Sequence, residues 1–483
     1  MKPTAADHGD RPTVAVVGAV QAAISLGYFS AMAHIVVHLQ DGLGLAAGLI
    51  GLVLALRNLV QHTLSLPVGA LVDVLGPGQA GVLACLVRAA GFALLGTVSS
   101  PPGLISAAVL LGAGGALFHP AAQSLLASLT ERRRTRGYAA YMMTLQAAAV
   151  LGPALGLALL NIGYWLVALT AAALWCFAAA LFPLARHAPR YPAETGVVTG
   201  VPAALRDRVF LWFAAVTTPT VLLTAQAPVV VPLGGADATA VTVFCCVLAM
   251  TSAAAQPWCA TRAERPAVLR AGLLDAGGGY LLLALGAAAA LPGLLAAAAL
   301  HGLADGLLQP AMFQTTARLA PRSRFGTYLG VRTFFSGLLA FAGGAAVGRL
   351  FDHGPRGATA ALVALALLAC ATAAAARRAR TLISAGWPPW RSRSEARPSG
   401  CPLASRARLN WPVWVNNLCF IWQYPIIYDS DTAHICSNPG GQSPASSERR
   451  SDPGLPGSSG RRTISQSVEP IANLIRWSLP YVL

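Results

Sequence analysis

The chain has 483 residues, of which 55% are hydrophobic and only 11% are charged. Soluble globular domains carry about 25% charged residues, so this composition excludes an ordinary soluble fold. The formal net charge of +16 would suit nucleic acid, but the arginines fall in short clusters between long apolar runs rather than on one folded surface. We therefore expect a polytopic membrane protein that lies in a lipid bilayer and does not bind nucleic acid.

Apolar runs between residues 13 and 376 leave room for twelve membrane-spanning helices, because about 20 apolar residues cross the hydrocarbon core once. Only helices and closed barrels satisfy the backbone in lipid, and these runs lack the alternation of barrel strands. The predicted fold class is an all-α membrane protein. Spans are expected at 13–38, 46–72, 79–98, 102–129, 137–160, 163–185, 209–233, 237–259, 268–290, 292–317, 326–350 and 356–376.

The first run has a second interpretation as a cleaved signal peptide. Lys2 and Arg11 precede it, and Ala31-Met32-Ala33 is similar to a cleavage site. Its length and the eleven later spans favour a membrane span after a short N-terminal segment at 1–12.

The connecting loops predict the orientation of the chain. Loops after spans 4, 6, 8 and 10, and the segment after span 12, contain arginine, whereas loops after spans 1, 3, 5, 7 and 9 contain no lysine or arginine. Only Arg349 and Arg356 break this pattern. By the positive-inside rule, we expect both termini to lie on the cytoplasmic side of the inner (cytoplasmic) membrane.

Spans 4 and 10 repeat one another in sequence. Leu117-Phe118-His119-Pro120-Ala121 aligns at an offset of about 190 with Leu307-Leu308-Gln309-Pro310-Ala311, and an arginine, a glycine and a tyrosine follow both in step. The offset predicts two pseudo-symmetric six-helix halves, 13–185 and 209–376, joined by a cytoplasmic loop at 186–208. A chance alignment of alanine-rich helices is the alternative.

Two motifs carry a family resemblance. The connection between spans 2 and 3 contains Gly69, Asp73 and Gly76 in a G-x-x-x-D-x-x-G spacing without the basic residues that usually follow, and span 5 contains Gly152-Pro153-Ala154-Leu155-Gly156. With these motifs the chain resembles the major facilitator superfamily over residues 13–376. The resemblance implies a cytoplasmic gating latch at Asp73, the G-P-x-x-G motif of proton-coupled drug exporters, and a central cavity lined by spans 1, 4, 7 and 10.

Other runs are most similar to the MdtH-type branch of twelve-span multidrug exporters. They are Leu54-Ala55-Leu56-Arg57-Asn58, Arg88-Ala89-Ala90-Gly91-Phe92-Ala93, Gly114-Gly115-Ala116-Leu117-Phe118 and Met142-Met143. The resemblance implies a drug:proton antiporter with no cofactor. Exporters with a basic residue in an R-x-x-x-G pattern in span 4 use it for proton coupling, whereas span 4 here has His119 and no arginine.

Asp305 is the first candidate for the proton-carrying group. His301, Asp305 and Gln309 are four residues apart and therefore share one face of span 10, with Asp305 near the midplane. An ionisable group inside the membrane is a functional-site hypothesis by default. His301, and His119 in span 4, are further proton-coupling candidates, because imidazole titrates near neutral pH. The alternative for Asp305 is a structural pair with His301 or an arginine. The alternative for His119 is a hydrogen bond to a backbone carbonyl that Pro120 leaves without its donor.

Four other charged residues inside spans are predicted to be structural. Arg57 and Arg88 stay protonated and hold a carboxylate or carbonyl in place, and Asp275 with Arg332 would form a salt bridge between helices.

Substrate contacts are expected from polar side chains on the cavity helices: Gln21, Ser25 and Tyr28 in span 1, Thr217 and Gln226 in span 7, and Gln309 in span 10. An apolar cavity with scattered hydrogen-bonding groups suits small lipophilic drugs or metabolites, with protons as the second partner. The predicted function is proton-coupled efflux. A small-nutrient transporter of the same superfamily, or a membrane sensor that does not transport, is the alternative.

The remaining sequence argues against other activities. The nine cysteines form no C-x-x-C pair, so no metal site is expected, and the spans contain no P-loop, H-E-x-x-H or G-x-S-x-G pattern that would indicate an ATP-driven pump or a hydrolase. We expect a monomer that is not an enzyme.

The C-terminal segment 377–483 is predicted to be a largely disordered cytoplasmic tail, because the alanine-rich character stops after Ser384 and serine, proline and arginine become frequent. Residues 385–483 are interpreted as a read-through or frame-shifted end. Deleting them should therefore leave transport intact, and loss of transport on deletion would contradict this interpretation.

Overall fold

The structure is a computed structural model that describes residues 5–127, 131–184, 197–260, 265–320 and 325–385. Within these ranges every regular element is helical, and twelve helical segments are long and apolar enough to cross a membrane. The predicted all-α fold class and the twelve spans are confirmed. The prediction of a disordered tail concerns mainly residues after 385, which lie outside the described residues.

In the described part of the chain, six α-helices belong to the first half, one lies in the connecting segment and seven belong to the second half. The first six are α1 Ala5–Val37, α2 Ala47–Leu75, α3 Pro77–Thr97, α4 Pro101–Ala127, α5 Glu131–Leu160 and α6 Tyr164–Leu181. The others are α7 Val197–Arg206, α8 Arg208–Thr217, α9 Pro219–Leu233, α10 Ala238–Ala260, α11 Pro266–Ala284, α12 Leu291–Leu319, α13 Phe325–Phe351 and α14 Gly354–Ala385.

Three details of these helices differ from the sequence prediction. Span 7 consists of α8 and α9, which meet at Thr218 because Pro219 begins a new helix there and supplies no backbone N–H. The short helix α7 lies inside the segment predicted as a loop, and Asp207 caps α8 by accepting a hydrogen bond from the Phe210 backbone N–H at 3.0 Å. The last helix, α14, continues to Ala385, so the first residues of the predicted tail are helical.

The two halves use equivalent helix pairs. In the first half the helix of span 3 packs against those of spans 4 and 6, and span 2 packs against span 4. In the second half span 9 packs against spans 10 and 12, and span 8 packs against span 10. Each packed pair of spans in the first half becomes a packed pair of the second half when six is added to both span numbers. The halves are therefore pseudo-symmetric, as predicted.

The halves meet through α2 with α13 and α5 with α10. We call the end of the bundle where α1 begins and α14 ends the termini end, and the opposite end the far end. Near the far end, a methyl group on Gly51 would lie 2.9 Å from the carbonyl oxygen of Gly344. The Cys246 thiol of α10 donates a hydrogen bond to the Val150 carbonyl of α5 at 3.2 Å. These contacts hold the two halves together toward the far end, with backbone against backbone between α2 and α13.

The α2–α13 contact continues to the middle of the bundle. There a methyl group on Gly337 would lie 2.6 Å from Cβ of His62. Large apolar side chains on the outer faces of the helices, such as Leu151, Met250 and Leu367, are more than half exposed. These exposed side chains form the surface that faces lipid, since the bilayer replaces the water that such groups avoid.

Candidate functional site

Asp305 lies in the middle of α12, where it accepts hydrogen bonds from two neutral side chains. The Ser252 hydroxyl of α10 donates to Asp305 Oδ2 at 2.9 Å, and Gln309 donates from the next turn of α12. Gly306 permits the close approach of the two helices, because a methyl group at this position would lie 2.6 Å from the Ser252 carbonyl oxygen. Among the described residues, no cationic side chain pairs with this carboxylate. Asp305 is thus a partly buried carboxylate that binds neutral donors only.

His301 shares the helix with Asp305 but faces a different neighbour. Its ring lies 4.5 Å from the ring of Tyr280 on α11, and a methyl group on Gly279 would lie 2.7 Å from His301 Nε2. The ring is buried, and Nε2 has no hydrogen-bond partner in the described part of the chain. The structure therefore brings Gln309, but not His301, to Asp305.

Arg57 and Arg88 converge on Tyr28 inside the first half. Arg57 donates to the Tyr28 hydroxyl at 2.9 Å and to the Asn58 side chain. The Arg88 guanidinium lies 4.9 Å from the centroids of both the Tyr28 and the Trp175 rings. Such cation–π contacts stabilise a guanidinium without neutralising it. Among the described residues, both arginines contact aromatic side chains, and Arg57 also contacts an amide oxygen; the structural role predicted for them stays a prediction.

Asp275 and Arg332 do not pair. Asp275 lies on α11, which packs against α12 and α14, whereas Arg332 lies on α13, which packs against α2. Arg332 is buried, and its Nε has no hydrogen-bond partner among the described residues. The expected inter-helix salt bridge is absent from the described contacts because the two helices are not neighbours.

The G-P-x-x-G motif of span 5 packs against span 1. His34 of α1 is fully buried and donates from Nε2 to the Pro153 carbonyl oxygen at 3.0 Å. A methyl group on Gly152 would lie 2.5 Å from Cβ of Phe29, and one on Gly156 would clash with the Ser30 carbonyl oxygen. The motif is therefore a surface of small residues that receives α1 and fixes it with one hydrogen bond.

The remaining cavity candidates occupy both halves. Gln21 donates to Ser25 at 2.7 Å within α1, and its own carbonyl oxygen has no partner in the described residues. Thr217 donates to a backbone carbonyl of its own helix. Gln226 is buried on α9 against α13, where a methyl group on Gly344 would lie 2.8 Å from its amide nitrogen.

For three residues predicted to belong to a motif or to proton coupling, the structure describes the helix in which each lies but not the side chain. Gly69 and Asp73 lie in α2 and His119 lies in α4, but their side chains are outside the described set. Gly76, between α2 and α3, has a φ of 83°, a left-handed conformation that glycine adopts without steric cost.

A carboxylate of the second half caps a helix of the first half at the far end. Both carboxylate oxygens of Asp352 accept a hydrogen bond from the backbone N–H of Gly48, at 3.1 and 3.0 Å, in the first turn of α2. A negative charge at a helix N-terminus is stabilising. This contact adds to the glycine packing that holds the two halves together toward the far end.

Sequence reasoning missed several of these residues. Ser252, Trp175 and His34 each contact a predicted site residue from another helix. A histidine in an apolar run was a usable signal for His34, but nothing in the sequence pairs Ser252 with Asp305. Within the described ranges, no group of three histidine, cysteine or acidic residues lies close enough to hold a metal ion.

Comparison with known proteins identifies the family to which this fold belongs. Residues 17–274 match the family model described as the Major Facilitator Superfamily. The chain is 31% identical over 347 residues to the Multidrug resistance protein MdtH of Cronobacter sakazakii, covering 68% of this chain and 84% of that protein. It is 28% identical over 358 residues to an uncharacterized MFS-type transporter of Mycobacterium tuberculosis, covering 70% and 85%.

Solved structures share the fold at low sequence identity. The POT family transporter PepTSo has a TM-score of 0.66 at 12% identity, covering 77% of this chain and 98% of that one. An auto-inhibited POT family peptide transporter has a TM-score of 0.65 at 15% identity, covering 76% and 96%. At this identity the likeness concerns the fold alone.

Proposed function

The chain belongs to the Major Facilitator Superfamily, and from this premise we propose that it exports small lipophilic compounds in exchange for protons. As a member of this superfamily it is a multi-pass transporter of small molecules. The observation that carries the proposal is the environment of Asp305, a carboxylate in the middle of a membrane span that contacts only neutral donors.

Proton exchange follows from the chemistry of that carboxylate. An ionised carboxylate inside the bilayer is costly unless a cation or water compensates it. Asp305 has no cationic partner among the described residues, so a proton supplies the compensation when water leaves. The carboxylate takes up a proton when it faces one side and releases it when it faces the other.

The contacts between the halves toward the far end give the transport cycle its direction. With the termini in the cytoplasm, the far end is external, and the glycine contacts of α2 and α13 join the two halves on that side. This conformation receives its substrate from the cytoplasm. Rocking of the two halves then separates Gly48 from Asp352 and opens the far end for release.

The relatives support export of lipophilic compounds. Proteins named Multidrug resistance protein MdtH are similar to this chain over most of its spans. The other cavity candidates are uncharged hydrogen-bonding groups, which suits weakly polar compounds.

Dye accumulation in cells tests the proposal. Cells that produce the protein should accumulate less of at least one of three lipophilic dyes (neutral Nile red, cationic rhodamine 6G, anionic anilinonaphthalene sulfonate) than cells with an empty vector. A protonophore should remove the difference, because it dissipates the proton gradient that drives export. Equal accumulation of all three dyes with and without the protein would exclude efflux. Export that persists in the protonophore would exclude proton coupling.

A further inference from the structure

Arg57 and Arg88 are mid-span cations in a half of the protein that has no mid-span anion. Between residues 13 and 185 the acidic residues are Asp41, Asp73 and Glu131, and all three lie at the ends of spans. Asp73 follows Arg57 by sixteen residues, which is about 24 Å along a helix at 1.5 Å per residue. Among the described residues of this half, no carboxylate contacts either guanidinium.

The contacts of Arg88 leave its charge uncompensated. The side chain is only 5% exposed, and its Nε has no hydrogen-bond partner among the described residues. Gly115 of α4 provides the space for it, since a methyl group there would lie 3.0 Å from Arg88 Nη1. The rings of Tyr28 and Trp175 cover the guanidinium, but a ring quadrupole does not replace a counter-ion.

Arg57 is more exposed than Arg88, the other arginine of this cluster. It is only partly buried, and its hydrogen bonds to described residues, Tyr28 and Asn58, use two of its five donors. The free donors of a guanidinium fit the two oxygens of a carboxylate or a sulfonate.

A third cation comes from the second half. Arg332 of α13 is 3% exposed, and its Nε has no partner in the described part of the chain. Arg57 lies five residues before His62 on α2, and Arg332 lies five residues before Gly337 on α13, so the two arginines flank the mid-bundle contact of His62 with Gly337, about 7.5 Å along each helix. Positive charge from both halves therefore converges on the space between them.

The acidic groups in the spans of the second half do not offset this field. Asp275 and Arg332 are on helices that do not pack together. Asp305 is bonded to Ser252 and Gln309, and it becomes neutral whenever it carries the proton. An organic cation between the halves would face uncompensated arginines, whereas an anion would supply their missing counter-charge.

We propose that the exported compounds are lipophilic anions whose carboxylate or sulfonate binds Arg57, with Arg88 and Arg332 supplying the surrounding positive field. This inference rests on the proposed function, because that proposal places the substrate between the two halves.

The preference for anions is tested by equilibrium binding to the full chain in lipid nanodiscs. Three compounds share one naphthyl skeleton and differ in charge: 1-naphthylacetate, 2-(1-naphthyl)ethanol and 2-(1-naphthyl)ethylammonium. We expect the anion to bind at least about tenfold more tightly than the other two. Arg57→Gln should remove this preference, Arg57→Lys should retain part of it, and Arg356→Gln, an exposed arginine near the far end, should leave it unchanged. Equal or tighter binding of the alcohol or the ammonium, or no binding of the acetate, would overturn the proposal.

Thermal unfolding provides a second measurement that does not depend on a well-behaved Arg57 variant. Naphthylacetate should raise the melting temperature of the wild type, and Arg332→Gln should melt no lower than the wild type without ligand but gain less from it. A lower melting temperature of unliganded Arg332→Gln, with an unchanged gain from ligand, would instead mean a purely structural arginine. No proton gradient is present in either measurement, so the dye test of proton-coupled efflux succeeds or fails independently.

Discussion

Asp305→Asn is expected to abolish protonophore-sensitive efflux while leaving substrate exchange without a gradient intact. The amide has almost the shape of the carboxylate; its oxygen still accepts a hydrogen bond, and its NH2 group can donate to the Ser252 hydroxyl or to the amide oxygen of Gln309, so helices α10 and α12 stay in place. It cannot bind and release a proton, so the proton gradient no longer drives the cycle. The measurement compares export from proteoliposomes under an imposed pH gradient with exchange of labelled substrate at equal pH.

Asp237→Asn is the matched control for this substitution. Asp237 is exposed at the far end and caps α10, where its carboxylate accepts a hydrogen bond from the Ala240 backbone N–H at 2.7 Å. Asparagine caps helices about as well as aspartate, so this variant should export like the wild type. If Asp305→Asn exported at the wild-type rate under the gradient, the assignment of the proton to this carboxylate would be wrong.

Gly156→Val should lower both the thermal stability and the export rate. The added side chain would clash with the Ser30 carbonyl oxygen and displace the His34 ring from the Pro153 carbonyl. Overpacking of a close contact typically costs about 1–3 kcal/mol. Fluorescence-detected size-exclusion chromatography after heating in detergent measures the stability, and the dye assay measures export.

The matched control is Gly18→Val on α1. Apart from its chain neighbours and the nearby backbone of α1, no described atom lies within 4 Å of where the Cβ of residue 18 would stand, so the same substitution meets open space. This variant should retain the wild-type melting temperature. A Gly156→Val protein that melted and exported like Gly18→Val would contradict the role given to the span-5 motif.

The sequence was sufficient for the spans and for the pseudo-symmetry of the halves. Apolar length depends on the thickness of the bilayer, so the number of spans can be counted without knowing how helices pack. The division of span 7 at Thr218 was less visible, because Pro219 stands in a run that is apolar throughout and contains two further prolines. The helix α7 is too short to produce an apolar run of spanning length.

The site was only partly predictable because helix rotation distributes side chains among neighbours. At 3.6 residues per turn, a spacing of four residues rotates a side chain by about 40°, so His301 and Gln309 differ by about 80°. Gln309 therefore stays with Asp305, whereas His301 turns toward Tyr280 of α11. Partners on other helices, such as Ser252 or Trp175, depend on which spans become neighbours, and no local pattern contains that information.

In the proposed orientation the far end faces the outside of the cell, and its glycine contacts then also determine which molecules can inhibit this transporter from that side. Where Gly51 meets Gly344, the two helices leave no room even for a methyl group between their backbones. A blocker added to the medium therefore finds no entrance in this conformation and has to permeate the membrane before it can compete at the central site. Its potency would follow its permeability as much as its affinity, so measurements on open membrane sheets and on intact cells should rank the same blockers differently.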